Sequence, residues 1–206
     1  MSNEYLSLLQ QGVAVWNHWR IENPGALPVL AEVDLHDADL RKALLCNIDF
    51  TNADLHRAIL SGSQLNWSTL VGAYLSGASF TDADLTGVNL SWANLFRAEL
   101  SGANLSWADL YKANLSEANL ERVNLKQASL RRASLRRANL RGAFLEGANL
   151  FESDLRGTVL DGASLAGADL ESTNLKGAFL GETDLSSARL CNTTMPDGKI
   201  TYRDCE

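Results

Sequence analysis

The sequence predicts an all-β solenoid closed at its N-terminus by a helix, and three observations predict it. Leucine occupies every fifth position from Leu30 to Leu190, save Phe50 and Phe80, and the register runs on through Met195 and Ile200 with no insertion or deletion. Two residues before each of these positions the side chain is usually small, as at Ala38, Ala53, Ala73, Ala113 and Ala168, with Val33, Ile48, Val88 and Val123 as larger substitutes. Glycine recurs two residues after the leucine, as at Gly62, Gly87, Gly102, Gly147 and Gly177.

A period of five matches neither the helical 3.6 nor the strand period of 2, so no straight element puts all these leucines on one side. The chain must turn within every repeat. Each large apolar residue then points to a common axis, the small one tucks beside it, and the glycine falls where a corner needs permissive dihedrals. Stacked coils would pair their backbones about 4.8 Å apart. Burying each leucine contributes roughly 1.5–3 kcal/mol, opposed by the ordering entropy of its five residues, so no coil is stable alone.

The motif Ala-Asp/Asn-Leu, as in Ala53-Asp54-Leu55, Ala83-Asp84-Leu85, Ala103-Asn104-Leu105 and Ala148-Asn149-Leu150, resembles that of the pentapeptide-repeat family over some four-fifths of the chain. The resemblance implies a right-handed quadrilateral β-helix with four repeats per coil, so that residues twenty apart share a column. Eight coils or slightly more are expected between residues 30 and 195, preceded by a capping segment (1–29) and followed by a turn and tail (196–206).

Residues 2–22 break the period and read as one helix, with Ser2 or Asn3 as N-cap and an apolar face of Leu6, Leu9, Val13 and Trp16, widened by Leu8, Val15 and Trp19. Pro24, Gly25 and Pro28 end it. The stretch from Gln11 through Trp16, Asn17, His18, Trp19 and Arg20 to Pro24 is similar to the N-terminal segment of family members from photosynthetic bacteria, which implies a helix closing the first coil. An open coil end exposes leucines and unpaired backbone groups and needs such a cover. At the other end Met195-Pro196-Asp197-Gly198-Lys199 is a turn, after which Ile200 and Tyr202 are expected to fold back over the last coil. That thinner cap makes the C-terminal end the place for a weak dimer, if the chain is not a monomer.

Composition bounds the function. The 206 residues carry a net charge of −7, which disfavours general nucleic-acid binding. No eighteen-residue apolar run or secretory pattern occurs, so a cytoplasmic chain is expected. Cys46, Cys191 and Cys205 lack metal-binding spacing; unpaired thiols are expected, with Cys191–Cys205 across the tail as the alternative. A solid leucine column offers no pocket where catalytic groups could converge, so no enzyme and no cofactor are expected. The acids before leucine, such as Asp34, Asp54 and Asp84, recur as structural groups that bond neighbouring backbone and form ladders with the asparagines there. His36 and His56 stack one coil apart near Asp34, Asp37 and Asp54, but no spacing supplies a third zinc ligand.

Two surface features carry information. Between two acidic blocks lies a basic belt of Arg122, Lys126, Arg131, Arg132, Arg136, Arg137 and Arg141 against only Glu121. Four-sided winding places Arg136, Arg156 and Lys176 in one column, with Arg97 and Arg137 beside it. Stacked like charges repel unless Glu152, Asp154, solvent or an anionic partner neutralises them. Trp67 and Trp107 share an outward column with Gly87 between them, while Trp92 and Tyr111 lie on the adjoining face with Phe96 and Phe151 also outward. They form either a contact surface or flat packing over glycine corners. The leading expectation is a non-enzymatic scaffold that binds an unidentified protein. The resemblance to the quinolone-resistance branch, whose acidic rods occupy the DNA site of gyrase, implies a DNA mimic as the alternative; binding of acidic or phosphate-bearing partners through the belt is a further one.

Overall fold

The computed structural model describes residues 2–205, with side chains from Glu4 onward. From Val29 the chain winds in coils of four five-residue sides. Parallel bridges join residues twenty apart, from Val29 with Asp49 to Asn174 with Thr194. Each side is too short to form a continuous strand: it contributes one bridging residue, the leucine follows, and the two residues after the leucine turn the corner.

The hydrogen bonds repeat with the coil. The leucine amide donates to the coil above, as Leu120 N does to Asn139 O at 2.7 Å, and the bridging amide donates to the coil below, as Asn119 N does to Ala98 O at 2.9 Å. Inside, Leu55 through Leu175 and the small residues beside them form one buried column. Hydroxyls occupy some small sites and are satisfied locally: Ser63 Oγ donates to Leu60 O at 2.6 Å and Thr193 Oγ1 to Leu170 O at 2.7 Å. Outside, the residue before leucine works as expected. Asp109 Oδ1 accepts the Tyr111 amide at 2.9 Å, and amide ladders join Asn94 to Asn114 and Asn104 to Asn124.

From Glu32 to Gly177 the second corner residue is left-handed whatever its type. Gly87 has φ +64°, and Trp67, Arg97 and Trp107 have φ +61°, +56° and +62°. Glycine is therefore favoured at this position without being required. The conformation is held by inter-coil bonds such as Trp67 N to Thr86 O at 2.9 Å, which outweigh a local penalty of about 1–2 kcal/mol.

The N-terminal segment forms two helices rather than the one expected: α1 (Ser2–Gln10) and α2 (Val13–Glu22). Gly12, at φ +109° and ψ 158°, breaks the helical path and serves as the N-cap of α2. The N-cap expected of Ser2 or Asn3 lies outside the described side chains. Leu9 and Trp16 are buried, Leu6, Leu8, Val13 and Trp19 pack partly against the core, and Val15 is exposed instead. Helix α2 also supplies the polar groups that a preceding coil would have offered. Asn17 Oδ1 accepts the Leu44 amide at 2.8 Å, Trp16 Nε1 donates to Leu44 O at 2.8 Å, and Arg20 donates to Cys46 O at 2.9 Å. In the next coil the equivalent groups of Gln64 and Asn66 bond to Ala43, Leu45 and Asn47 of the main chain.

The C-terminal end differs from expectation. Ile200 and Tyr202 remain 51% and 62% exposed. A short hairpin of β1 (Thr193–Thr194) and β2 (Ile200–Thr201) reverses the chain, and polar groups then tie the tail down. Arg203 donates to Leu185 O and Ala188 O, and the Asp204 carboxylate accepts the Leu190 amide at 2.8 Å. Cys191 and Cys205 form a disulfide, so the expectation of three unpaired thiols holds only for Cys46. The tail reversal brings two cysteines fourteen residues apart together, which the repeat pattern alone does not indicate.

Candidate interaction surface

Among the described residues the interior is filled by the buried leucine column. The depressions found are open surface grooves, such as the one where Gly12 and Val13 meet Asp39, Arg41 and Lys42. Among the described residues no three histidine, cysteine or acidic side chains converge as a metal site. His36 and His56 are one coil apart but face different partners: His36 Nδ1 lies 2.5 Å from Asp34 Oδ1, and His56 Nδ1 lies 2.7 Å from Ser76 Oγ. The Asp34 carboxylate holds the His36 imidazole above its ordinary pKa, chiefly through that hydrogen bond.

Winding divides the basic belt. Arg122 and Arg141 fall on one corner, where Arg141 meets Asp161 at 3.5 Å, and Lys126 falls on another, 3.4 Å from Glu146. Arg131 and Arg132 lie at one edge of a single side of the rod, and Arg136 and Arg137 at its other edge. The column repulsion expected from sequence is largely relieved. Arg132 pairs with Glu152 at 2.5 Å, Arg156 with Asp154 at 2.5 Å, and Arg136 with the same Asp154 at 4.0 Å. Lys176 has no carboxylate within 4.0 Å among the described residues.

The aromatics combine packing with exposure. The Trp67 ring lies over Gly87 where a Cβ would overlap it, yet Trp67 is 62% exposed, and Trp107 in the same column is 64% exposed. Trp92 meets Tyr111 edge-on with centroids 5.9 Å apart. The Lys112 ammonium sits 4.1 Å from the Trp92 centroid and 5.3 Å from that of Tyr111, and Arg131 lies 5.6 Å from the Phe151 centroid. The Arg132 guanidinium beside the Tyr111 hydroxyl draws that phenol below its ordinary pKa, against partial desolvation and with help from Lys112. Lys112 is the member of this cluster that sequence reasoning missed, although it stands twenty residues after Trp92 and the winding period points to it.

Three solved structures are similar to this chain in sequence or in fold. HetL, a protein involved in heterocyst differentiation regulation in the cyanobacterium Nostoc sp. strain PCC 7120, is 35% identical, covers 89% of this chain and 98% of its own, and superposes with a TM-score of 0.41. Rfr23 from the cyanobacterium Cyanothece 51142 is 42% identical over 51% of this chain and 62% of its own, with a TM-score of 0.19. A trypsin-treated variant of QnrB1, a plasmid-mediated fluoroquinolone resistance protein, shares the fold at 17% identity and a TM-score of 0.62, covering 79% of this chain and 89% of its own. No curated protein is significantly similar. The pentapeptide-repeat model matches eight copies in overlapping stretches from residue 30 to residue 195. With twenty-residue coils joined by parallel bridges along the rod and this match across them, the chain belongs to the pentapeptide-repeat family.

Proposed function

We propose that this chain is a non-enzymatic scaffold that binds another protein, wound as a right-handed quadrilateral β-helix over residues 30–195 between an N-terminal cap (1–29) and a tail (196–206). One observation carries the reading: Trp67, Trp92 and Trp107 stand more than half exposed at left-handed corners where glycine would be less strained. Tryptophan is enriched among the residues that dominate interface energetics, and a rod held by backbone bonds between coils loses little entropy on binding.

Capture from the native cell tests it. Wild type is compared with a Trp67→Ala/Trp107→Ala variant and an Arg132→Ala/Arg136→Ala/Arg137→Ala variant, and the reading fails if no protein is retained specifically by the wild type. The DNA-mimic alternative needs continuous negative potential, and the cations around residues 131–137 oppose it; inhibition of gyrase supercoiling at micromolar protein would restore it. Exposed Ile200 and Tyr202 support a weak dimer through the C-terminal end, which sedimentation measures directly. We propose a cytoplasmic location; no helix among the described residues is long and apolar enough to cross a membrane. Thiol labelling of Cys191 and Cys205 in intact cells tests that placement, since a reducing compartment would open their disulfide.

A further inference from the structure

We propose that the side of the rod formed by residues 93–95, 113–115, 133–135 and 153–155 is a docking strip for a short acidic segment of a partner protein. The proposal rests on the scaffold reading and adds the place and the partner chemistry.

Winding concentrates positive charge there. Along the last three of these coils the strip's two bounding corners carry Lys112, Arg131, Arg132, Arg136, Arg137 and Arg156, while corners and side together carry only Glu117, Glu152 and Asp154. These three coils of the strip are therefore +3 on a chain of −7, and the remainder is −10. All three carboxylates are engaged: Glu117 by Arg97 at 2.8 Å, Glu152 by Arg132 at 2.5 Å, and Asp154 by Arg156 at 2.5 Å. Lys112, Arg131 and Arg137 have no carboxylate within 4.0 Å among the described residues.

The side between the two corners is flat and polar. Asn94, Asn114 and Ser134 follow one another in the bridged column, and Asn114 Nδ2 donates to Asn94 Oδ1 at 3.1 Å. No large side chain in that column stands between the cationic edges. Trp92, 57% exposed, provides an aromatic anchor at one end.

Length and charge select the occupant. Three inter-coil steps of about 4.8 Å give a strip of roughly 14 Å, the reach of four or five extended residues. A longer polyanion such as single-stranded nucleic acid would run past the cations, since the same positions one coil earlier (71–77) carry no charge and one coil later (171–177) carry Glu171 against Lys176, and the net negative charge of the chain opposes its approach. A few carboxylates on a peptide meet the strip alone.

The test uses the full chain and a fluorescein-labelled, glutamate-rich octapeptide, read by anisotropy at about 20 mM salt. Saturable binding is expected, absent for the glutamine counterpart of the peptide. It should weaken about tenfold or more in K112A/R131A/R137A, stay unchanged in R122A/R141A on another corner, and tighten in E117Q/E152Q, which frees two cations. Lack of saturable binding, equal binding by the triple variant, or binding of an eight-nucleotide oligothymidylate as tight as that of the peptide would each overturn the proposal. Native-cell capture separates the two readings: a partner still held by the triple variant removes the strip and leaves the scaffold, whereas capture of nothing by wild type removes the scaffold itself.

Discussion

Replacing Arg20 with methionine should unfasten the first coil and leave the middle of the rod intact. Arg20 is 5% exposed and donates to Ala26 O and Cys46 O, each at 2.9 Å. Hydrogen bonds to a charged group contribute roughly 1.5–3 kcal/mol each, so about 3–6 kcal/mol is removed in gross terms. Methionine keeps much of the volume and avoids burying a guanidinium whose Nε has no partner. That relief brings the expected net loss to about 2–4 kcal/mol. Because repeats contact only their neighbours, the loss should stay local. Amide hydrogen exchange reads it residue by residue: the Leu45 and Asn47 amides, which bond to Gln64 O and Asn66 O, should exchange roughly 30- to 700-fold faster. The Leu120 amide should not change. A rise of the same size along the whole rod, or a change below about 0.5 kcal/mol at the first coil, would refute the idea that α2 stands in for a missing coil.

Further expectations follow from single contacts. Gly87→Ala should lower the melting temperature more than Gly162→Ala, since both have positive φ but only at Gly87 would the new Cβ meet the Trp67 ring; the opposite order would show that the ring does not rest there. The His36–Asp34 pair should stabilise within a window of pH. Asp34 is lowered by its bond to His36, so the contribution disappears as pH falls through the folded Asp34 pKa; His36 is raised, so it disappears again as pH rises through the folded His36 pKa. NMR titration should place His36 above 6.5 and Asp34→Asn should lower it, whereas a wild-type midpoint at or below 6.5 contradicts the pairing. Cys205→Ser should loosen the tail by about 3 kcal/mol, the chain-entropy value for a loop near fifteen residues. Faster exchange of the Leu190 amide, with Leu120 unaffected, is the expected result, and an unchanged Leu190 amide would mean that Arg203 and Asp204 hold the tail without the disulfide.

Much of the rod is legible in the sequence because its driving force is periodic. A leucine every fifth residue has one economical burial, and the acids and asparagines before it have one recurrent use at the backbone. The ends are less legible. Nothing in the residue types of Trp16, Asn17 and Arg20 states that they satisfy Leu44 and Cys46, since those groups become orphans only when the coil ends there. The Cys191–Cys205 bond likewise depends on a chain reversal at 195–199, and spacing alone left both thiols open. The glycine pattern located the corners correctly, but it did not show that tryptophan and arginine would adopt the same left-handed backbone once inter-coil bonds held it.

Sequence by itself determined the coil, its solid interior and the outward direction of the candidate residues, because inward and outward positions are set by a local period. Tertiary structure decided which outward residues are neighbours. The seven cations between Arg122 and Arg141 are one belt along the chain, yet winding separates them onto different corners and gives several of them carboxylates one coil away. What remains is a single side edged by Lys112, Arg131 and Arg137. Pairing across a twenty-residue step is a through-space property, and electrostatic neutralisation follows distance in space rather than order along the chain.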